Sequence, residues 1–133
     1  MKLLMALSFL SLLGLSCSKG HDKTSLNEQV NGIYQAIRQT TNRDTITLPY
    51  QGQTITTRVG GLTSTSAKFY IESFENGHTS GVVIVEASLI SSSANRIQFS
   101  TIGDRNFGFL QNDTLVTRYM INDIYYEITS VRQ

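Results

Sequence analysis

Short alternating segments separated by two-residue turn signals are the feature that most constrains the fold of this chain. Asn76-Gly77 lies between two such segments, and Gln51-Gly52 and Asn122-Asp123 occupy similar places. These dipeptides suit β-hairpins because their residues tolerate the positive φ angles of tight turns. The spacing predicts about eight or nine short strands in one domain over residues 25–133. We therefore expect an all-β fold, an up-and-down antiparallel β-barrel of about eight strands, with a β-sandwich as the alternative.

Composition narrows the classes of partner. The chain has 11 Lys and Arg residues against 10 Asp and Glu residues, so its charge is near neutral. Because no basic block stands out, the sequence carries no electrostatic footprint for nucleic acid, and we expect no nucleic-acid partner. There is one cysteine, so no disulfide can form within the chain, and the core alone must hold the fold.

The N-terminal segment has the proportions of a signal peptide. Lys2 is followed by an apolar run from Leu3 to Leu13, which is too short to cross a bilayer core of roughly 30 Å as a helix. The stretch that follows, LGLSC at residues 13–17, resembles the lipobox of bacterial lipoproteins, in which the cysteine is acylated and becomes the mature N-terminus. It departs from the usual pattern at Gly14, where leucine is common.

The lipobox resemblance implies a location. Residues 1–16 are interpreted as a lipoprotein signal peptide, and residues 17–24 as a lipidated N-terminus with a flexible tether. Acyl chains on Cys17 would anchor the protein to a membrane of the bacterial cell envelope. Ser18 and Lys19 follow without an acidic run, so we expect the periplasmic face of the outer membrane.

Residues 25–40 carry competing signals. Ser25 followed by Glu28 fits a helical capping box, which predicts a helical turn over 25–30. A strand is predicted over 32–40. Alternation within that strand would group three residues on one face, Tyr34, Ala36 and Arg38, and three on the other, Ile33, Gln35 and Ile37.

Two further segments lead to specific expectations. Val82 to Val85 are apolar at successive positions, which predicts a strand covered on both faces. The polar stretch SSSAN, residues 91–95, is predicted to be a loop.

The mature chain resembles the lipocalin-like domains of short bacterial lipoproteins over roughly residues 30–133. The resemblance rests on Gly32-Ile33-Tyr34, on a hairpin around PYQGQTI, and on the closing segment that ends at Arg132. Lipocalins have a Gly-x-Trp motif in the first strand and a late arginine that packs across the indole. The resemblance implies that Gly32, Tyr34 and Arg132 close one end of the barrel, with tyrosine in place of tryptophan.

Aromatic residues on the predicted strands are the best lead to a function. A small barrel either fills its interior with side chains or leaves room for one small ligand. The expected function is binding of a small apolar or amphipathic molecule, and the alternative is a non-catalytic protein-interaction module, such as an envelope scaffold or an enzyme inhibitor. The candidate ligand-binding residues are Tyr34, Phe69, Phe99, Tyr119 and Tyr126.

The sequence offers no convincing catalytic or metal site. His21 and His78 have no second ligand at metal-binding spacing, and Ser91-Ser92-Ser93 does not lie in a Gly-x-Ser-x-Gly motif. Glu86 interrupts an apolar strand, and the wet end of that strand explains it. We expect no enzyme activity, no metal and no cofactor.

The lipobox hypothesis is tested by Cys17→Ala. We expect this variant to lose incorporation of labelled palmitate and membrane retention while its β domain stays folded, since the thiol precedes that domain. Acyl label on the variant, or wild-type protein found free in the periplasm, would contradict the interpretation.

Overall fold

The computed structural model describes residues 24–93, 95–104 and 106–133, so the proposed signal peptide, Cys17 and most of the tether lie outside the described residues. One short helix precedes nine strands. The elements are α1 (Leu26–Val30), β1 (Gly32–Thr41), β2 (Thr45–Thr47), β3 (Gln53–Thr63), β4 (Ser66–Glu75), β5 (His78–Ser93), β6 (Arg96–Ser100), β7 (Gly108–Gln111), β8 (Thr114–Ile121) and β9 (Ile124–Arg132).

The strands form one antiparallel sheet that closes on itself. Each of β3 to β8 pairs with the next strand along the chain, and β1 pairs with both β3 and β9. Closure of β1 onto β9 makes an eight-stranded barrel, and β2 adds a short extra strand on β1 beside Arg38 to Thr40. The predicted all-β barrel is confirmed, and the sandwich alternative is excluded because a sandwich leaves its two sheets unclosed.

Tight turns join many of the strands. Both central residues have positive φ in the turns at Gln51-Gly52, Asn76-Gly77, Asn112-Asp113 and Asn122-Asp123. This is the type I′ conformation, whose twist matches that of the flanking strands. Asn and Asp adopt it at a small cost because their side chains are short and polar. The turn signals in the sequence therefore mark real hairpins.

Aromatic side chains fill the middle of the barrel. Phe69 and Phe99 are fully buried, with ring centroids 4.8 Å apart. Phe107 packs edge-on against Phe69 at 5.3 Å. Inward-facing aliphatic residues from the surrounding strands, among them Ile55, Ile71, Leu115 and Ile128, complete this core.

A β-bulge in β1 changes the predicted arrangement of side chains. The register with β9 shifts between Ala36 and Arg38, so Ile37 is the extra residue. Tyr34 and Ala36 are buried, whereas Arg38 is exposed and donates a hydrogen bond to Thr129 Oγ1 at 3.3 Å. The prediction that Arg38 shares the face of Tyr34 and Ala36 is therefore wrong. A bulge reverses the alternation beyond it, and single-strand periodicity cannot reveal that.

Two other expectations are wrong. Val82 and Ile84 are 50% and 58% exposed on the outer surface, so β5 is not covered on both faces. Residues 91–93 continue β5 instead of forming a loop, because they pair with the start of β6. Runs of β-branched residues favour strands, but they do not reveal how many faces are buried.

The helix α1 closes one end of the barrel. It begins after Ser25, whose N–H donates to the Glu28 carboxylate at 3.1 Å, as the capping-box pattern predicts. Val30, the last residue of the helix, is fully buried in the core. The Tyr34 hydroxyl donates to the Val30 carbonyl oxygen at 2.8 Å, which fixes the helix to the first strand.

Arg132 completes this closed end. Its guanidinium lies over the Tyr34 ring, 5.0 Å from the centroid, and donates to the carbonyl oxygens of Asn31 (2.8 Å) and Gln29 (2.5 Å). Those carbonyls belong to the C-terminal end of α1, where helical partners run out. Arg132 Nε also lies 3.0 Å from Asp113 Oδ1. One cation thus caps the helix, stacks on the aromatic ring and pairs with a carboxylate.

Gly32 is required by this packing. Its φ is +151°, and a Cβ built on it would lie 3.1 Å from Arg132 Nη1 and 3.8 Å from the Tyr34 ring. We expect Gly32→Ala to lower the free energy of unfolding by about 1–3 kcal/mol, through backbone strain and displacement of the guanidinium. Gly60→Ala is the matched control, because a Cβ there meets open space. Urea denaturation measures both, and a raised melting temperature for Gly32→Ala would contradict this packing.

Candidate functional site

The end of the barrel opposite α1 is incomplete because the hairpin of β6 and β7 is short. β6 pairs with β5 only from Ser88 onward, and β7 pairs with β8 only up to Thr117. Beyond that point Arg118 donates its N–H to the Phe107 carbonyl oxygen at 2.6 Å. Among the described residues, no strand pairs with the far edge of β5 before Ser88. We call this the open end.

A cleft lies between the exposed edges of β5 and β8 at the open end. Its volume is ≈ 410 Å³. Val83 lines it from β5, Tyr119 and Ile121 from β8, and Tyr126 from β9. Val83 and Val85 face the barrel interior but are only half-buried, because the neighbouring strand that would cover them ends early.

Tyr119 and Tyr126 form the aromatic wall of the cleft. They are direct cross-strand partners in β8 and β9, and their rings stack at 5.4 Å with 15° between the planes. Burial raises the pKa of Tyr119 to about 12, with a further contribution from the neighbouring Tyr126. The Tyr119 hydroxyl is therefore neutral at physiological pH.

Neutral polar groups share the lining. Gln39 reaches the interior because the bulge in β1 pairs it with the fully buried Ile128. Gln53 Nε2 lies 3.5 Å from Gln39 Oε1, and Ser73 and Ser80 add two hydroxyl groups. The lining thus combines aliphatic and aromatic surface with amides and hydroxyls. It carries no charged side chain among the residues that form it.

The five candidate ligand-binding residues occupy three different places. Tyr34 lies at the closed end, and Phe69 and Phe99 are packed in the middle of the core. Tyr119 and Tyr126 line the cleft at the open end. The structure therefore brings two of the five together, and the lining of that cleft includes none of the other three.

The three candidate barrel-closing residues lie in mutual contact. Tyr34 and Arg132 are register partners in the β1–β9 pairing, and Gly32 lies beneath the guanidinium. Burial raises the pKa of Tyr34 to about 12, although the adjacent Arg132 cation opposes this.

Glu86 and His78 lie away from the cleft lining. Glu86 is on the outer surface, 61% exposed, with Lys68 Nζ 2.9 Å from its Oε1. The hydrogen bond with Glu86 raises the pKa of Lys68. His78 begins β5 at the exposed Asn76-Gly77 turn. Within the described ranges, no three His, Cys, Asp or Glu side chains are grouped to hold a metal ion, and no helix has the length and hydropathy to span a bilayer.

Gln39, Gln53 and Val83 are cleft residues that the sequence reasoning missed. Gln39 is aimed inward by the bulge, which leaves no mark in the local pattern. Val83 is only half-buried because the β6–β7 hairpin is short, and this depends on pairing between distant segments. The GFLQ strand is only four residues long, and this is the signal that could have revealed the open end. A short strand between longer strands leaves the edges of its neighbours unpaired.

Comparison with known proteins identifies no relative: no family model, no curated protein and no solved structure matches this chain. The geometry of the barrel and its open end therefore indicates the function.

The buried tyrosines predict a dependence of stability on pH. The folded-state pKa values of Tyr34 and Tyr119 are about 12, above the value of about 10 in an unfolded chain. Their contribution is fully present below pH 10 and is lost as the pH rises through 12. We expect Tyr119→Phe to reduce the fall in unfolding free energy between pH 9 and pH 11.5, measured by urea denaturation. If Tyr119→Phe leaves the fall in unfolding free energy over this pH range unchanged, Tyr119 is not one of the titrating groups.

Proposed function

We propose that this protein is a non-catalytic binding module that takes one small amphipathic molecule into the cleft at its open end. The stacked pair of Tyr119 and Tyr126 beside the half-buried Val83 carries this proposal. Apolar surface that remains exposed on the inner side of a barrel is stabilised when a ligand covers it.

The size and chemistry of the cleft define the ligand class. A volume of ≈ 410 Å³ falls within the roughly 300–1,000 Å³ of small-molecule sites. The polar lining groups include the amides of Gln39 and Gln53 and the hydroxyl of Ser73, all of them neutral. A charged group would lose its hydration there without gaining an opposite charge. The matching ligand has an aliphatic or aromatic body and an uncharged polar group.

The proposed location follows from the lipobox. Acylation at Cys17 would attach the protein to a membrane of the bacterial cell envelope, at the periplasmic face of the outer membrane. The described chain enters the barrel at Thr24, next to α1 at the closed end. The cleft lies at the opposite end of the barrel and would therefore point away from the tether.

A protein-interaction module is the second candidate. Large apolar residues are exposed on the outer surface, among them Ile33, Val82 and Ile84. In the register of the sheet, Ile33 and Ile84 lie in one row across β1, β3, β4 and β5, with Arg58 and Tyr70 between them. An exposed apolar row of this kind is typical of surfaces that contact other proteins.

The ligand-binding proposal is tested with the neutral fluorescent probe N-phenyl-1-naphthylamine. We expect saturable fluorescence enhancement with the wild type and at least a tenfold weaker affinity for Tyr126→Ala, because truncation removes one face of the aromatic wall. Tyr70→Ala is the matched control, since Tyr70 is a half-buried tyrosine on the outer surface.

The outcomes separate the two candidates. Equal losses in Tyr126→Ala and Tyr70→Ala, or no enhancement with the folded wild type, would contradict ligand binding in the cleft. Absence of fluorescence enhancement with the folded wild type would favour the protein-interaction function.

A further inference from the structure

The free edge of β5 has hydrogen-bonding groups that nothing in the described chain uses. Residues 81–87 pair with β4 on one side, from Gly81 opposite Ser73 to Ala87 opposite Ala67. On the other side, pairing with β6 begins at Ser88. Seven consecutive residues therefore have one paired edge and one edge without a strand partner among residues 24–93, 95–104 and 106–133.

The register identifies the groups that point outward from this edge. Leu89 donates its N–H to the Thr65 carbonyl oxygen, on the β4 side. Because successive N–H groups of a strand point to opposite sides, those of Val83, Val85 and Ala87 also point to β4. The N–H and C=O groups of Val82, Ile84 and Glu86 therefore point to the free edge.

We propose that β5 pairs antiparallel with β5 of a second copy of this chain, about a two-fold axis at Ile84. In this register Ile84 faces Ile84 of the other copy, and Val82 faces Glu86. These are the residues whose main-chain groups point to the edge, so the three pairs satisfy all of their free donors and acceptors. Beyond these pairs Ser80 of each copy would lie opposite Ser88 of the other, and the pairing ends there because Ser88 already pairs with β6.

Charge and side-chain chemistry are compatible with this self-pairing. Glu86 is the single charged residue in the segment and already pairs with Lys68 in its own subunit. In the dimer the two Glu86 residues would lie four positions apart, about 14 Å at 3.4 Å per residue. That exceeds the screening length of about 8 Å at physiological salt. On the inner face, Val83 of each copy would lie beside Val85 of the other, and both half-exposed valines would be covered.

The contact is expected to be reversible. A seven-residue strand pair is smaller than the interfaces of roughly 1,200–2,000 Å² that hold stable complexes. We therefore expect dimers to form with rising concentration, in the micromolar to millimolar range. A second copy on this edge would cover Val83, so it would compete with the ligand proposed for the cleft.

Sedimentation equilibrium of the purified Cys17→Ala protein over this concentration range tests the proposal. We expect a monomer–dimer equilibrium that Ile84→Lys weakens at least tenfold, because two ammonium groups would meet at the axis. Ile33→Lys is the control, since Ile33 is similarly exposed at 51% but lies on β1, which is paired on both sides. A monomer at every concentration, or equal effects of the two substitutions, would overturn the proposal.

Cross-linking tests the register itself. In the same Cys17→Ala background, we expect Ile84→Cys to give a covalent dimer with a short bismaleimide. Ser88→Cys should not, because Ser88 and its counterpart would lie eight positions apart, about 27 Å. Cross-linking at Ser88→Cys but not at Ile84→Cys would overturn the two-fold axis at Ile84, and cross-linking at neither would overturn the pairing.

Discussion

Pairing of the first strand of the barrel with the last is the interaction on which the rest of this structure depends. β1 and β9 are joined along seven register positions, from Tyr34 opposite Arg132 to Thr41 opposite Tyr126. These partners are 98 residues apart in sequence at the closed end, so their pairing must offset the closure entropy of nearly the whole domain. Without it the sheet would have two more free edges and an exposed inner face.

The same pairing builds both ends of the barrel. At the closed end it brings the Arg132 guanidinium over Tyr34 and onto the C-terminal carbonyls of α1. At the open end the bulge at Ile37 turns Gln39 inward, and Tyr126 enters the aromatic wall. The two ends differ because the β6–β7 hairpin is short, which leaves β5 and β8 without neighbours there. The barrel is thus sealed at one end by α1 and Arg132 and left open at the other by the short β6–β7 hairpin.

Much of the fold could be predicted from the sequence because local chemistry determines it. Asn76-Gly77 and Asn122-Asp123 favour type I′ turns, and Ser25 with Glu28 marks the helix start. Gly32 could be singled out because a glycine near an aromatic residue suits close packing. The structure requires glycine there, because its φ is +151° and a Cβ would lie 3.1 Å from Arg132 Nη1. The ligand-binding site was only partly predictable. Tyr119 and Tyr126 lie in the cleft, whereas Phe69 and Phe99 fill the core.

The features that could not be predicted from the sequence depend on pairing between distant segments. No local pattern distinguishes an inward Gln39 from an outward one, because the bulge arises from the register with β9. Similarly, Val82 and Ile84 look like buried strand residues until the sheet shows that their side chains face outward. Periodicity identifies the strands, but only the closed sheet determines which residues its shortest hairpin leaves exposed.

Residue-resolved amide hydrogen exchange tests the central claim that β5 has a free edge at the open end. At low protein concentration, the amides of Val82, Ile84 and Glu86 should exchange rapidly, while those of Val83, Val85 and Ala87, which point to β4, should be protected. That alternation along one strand is the predicted result. Equal and strong protection of all six amides at the lowest concentration would contradict the account, because it would mean that the barrel is closed there.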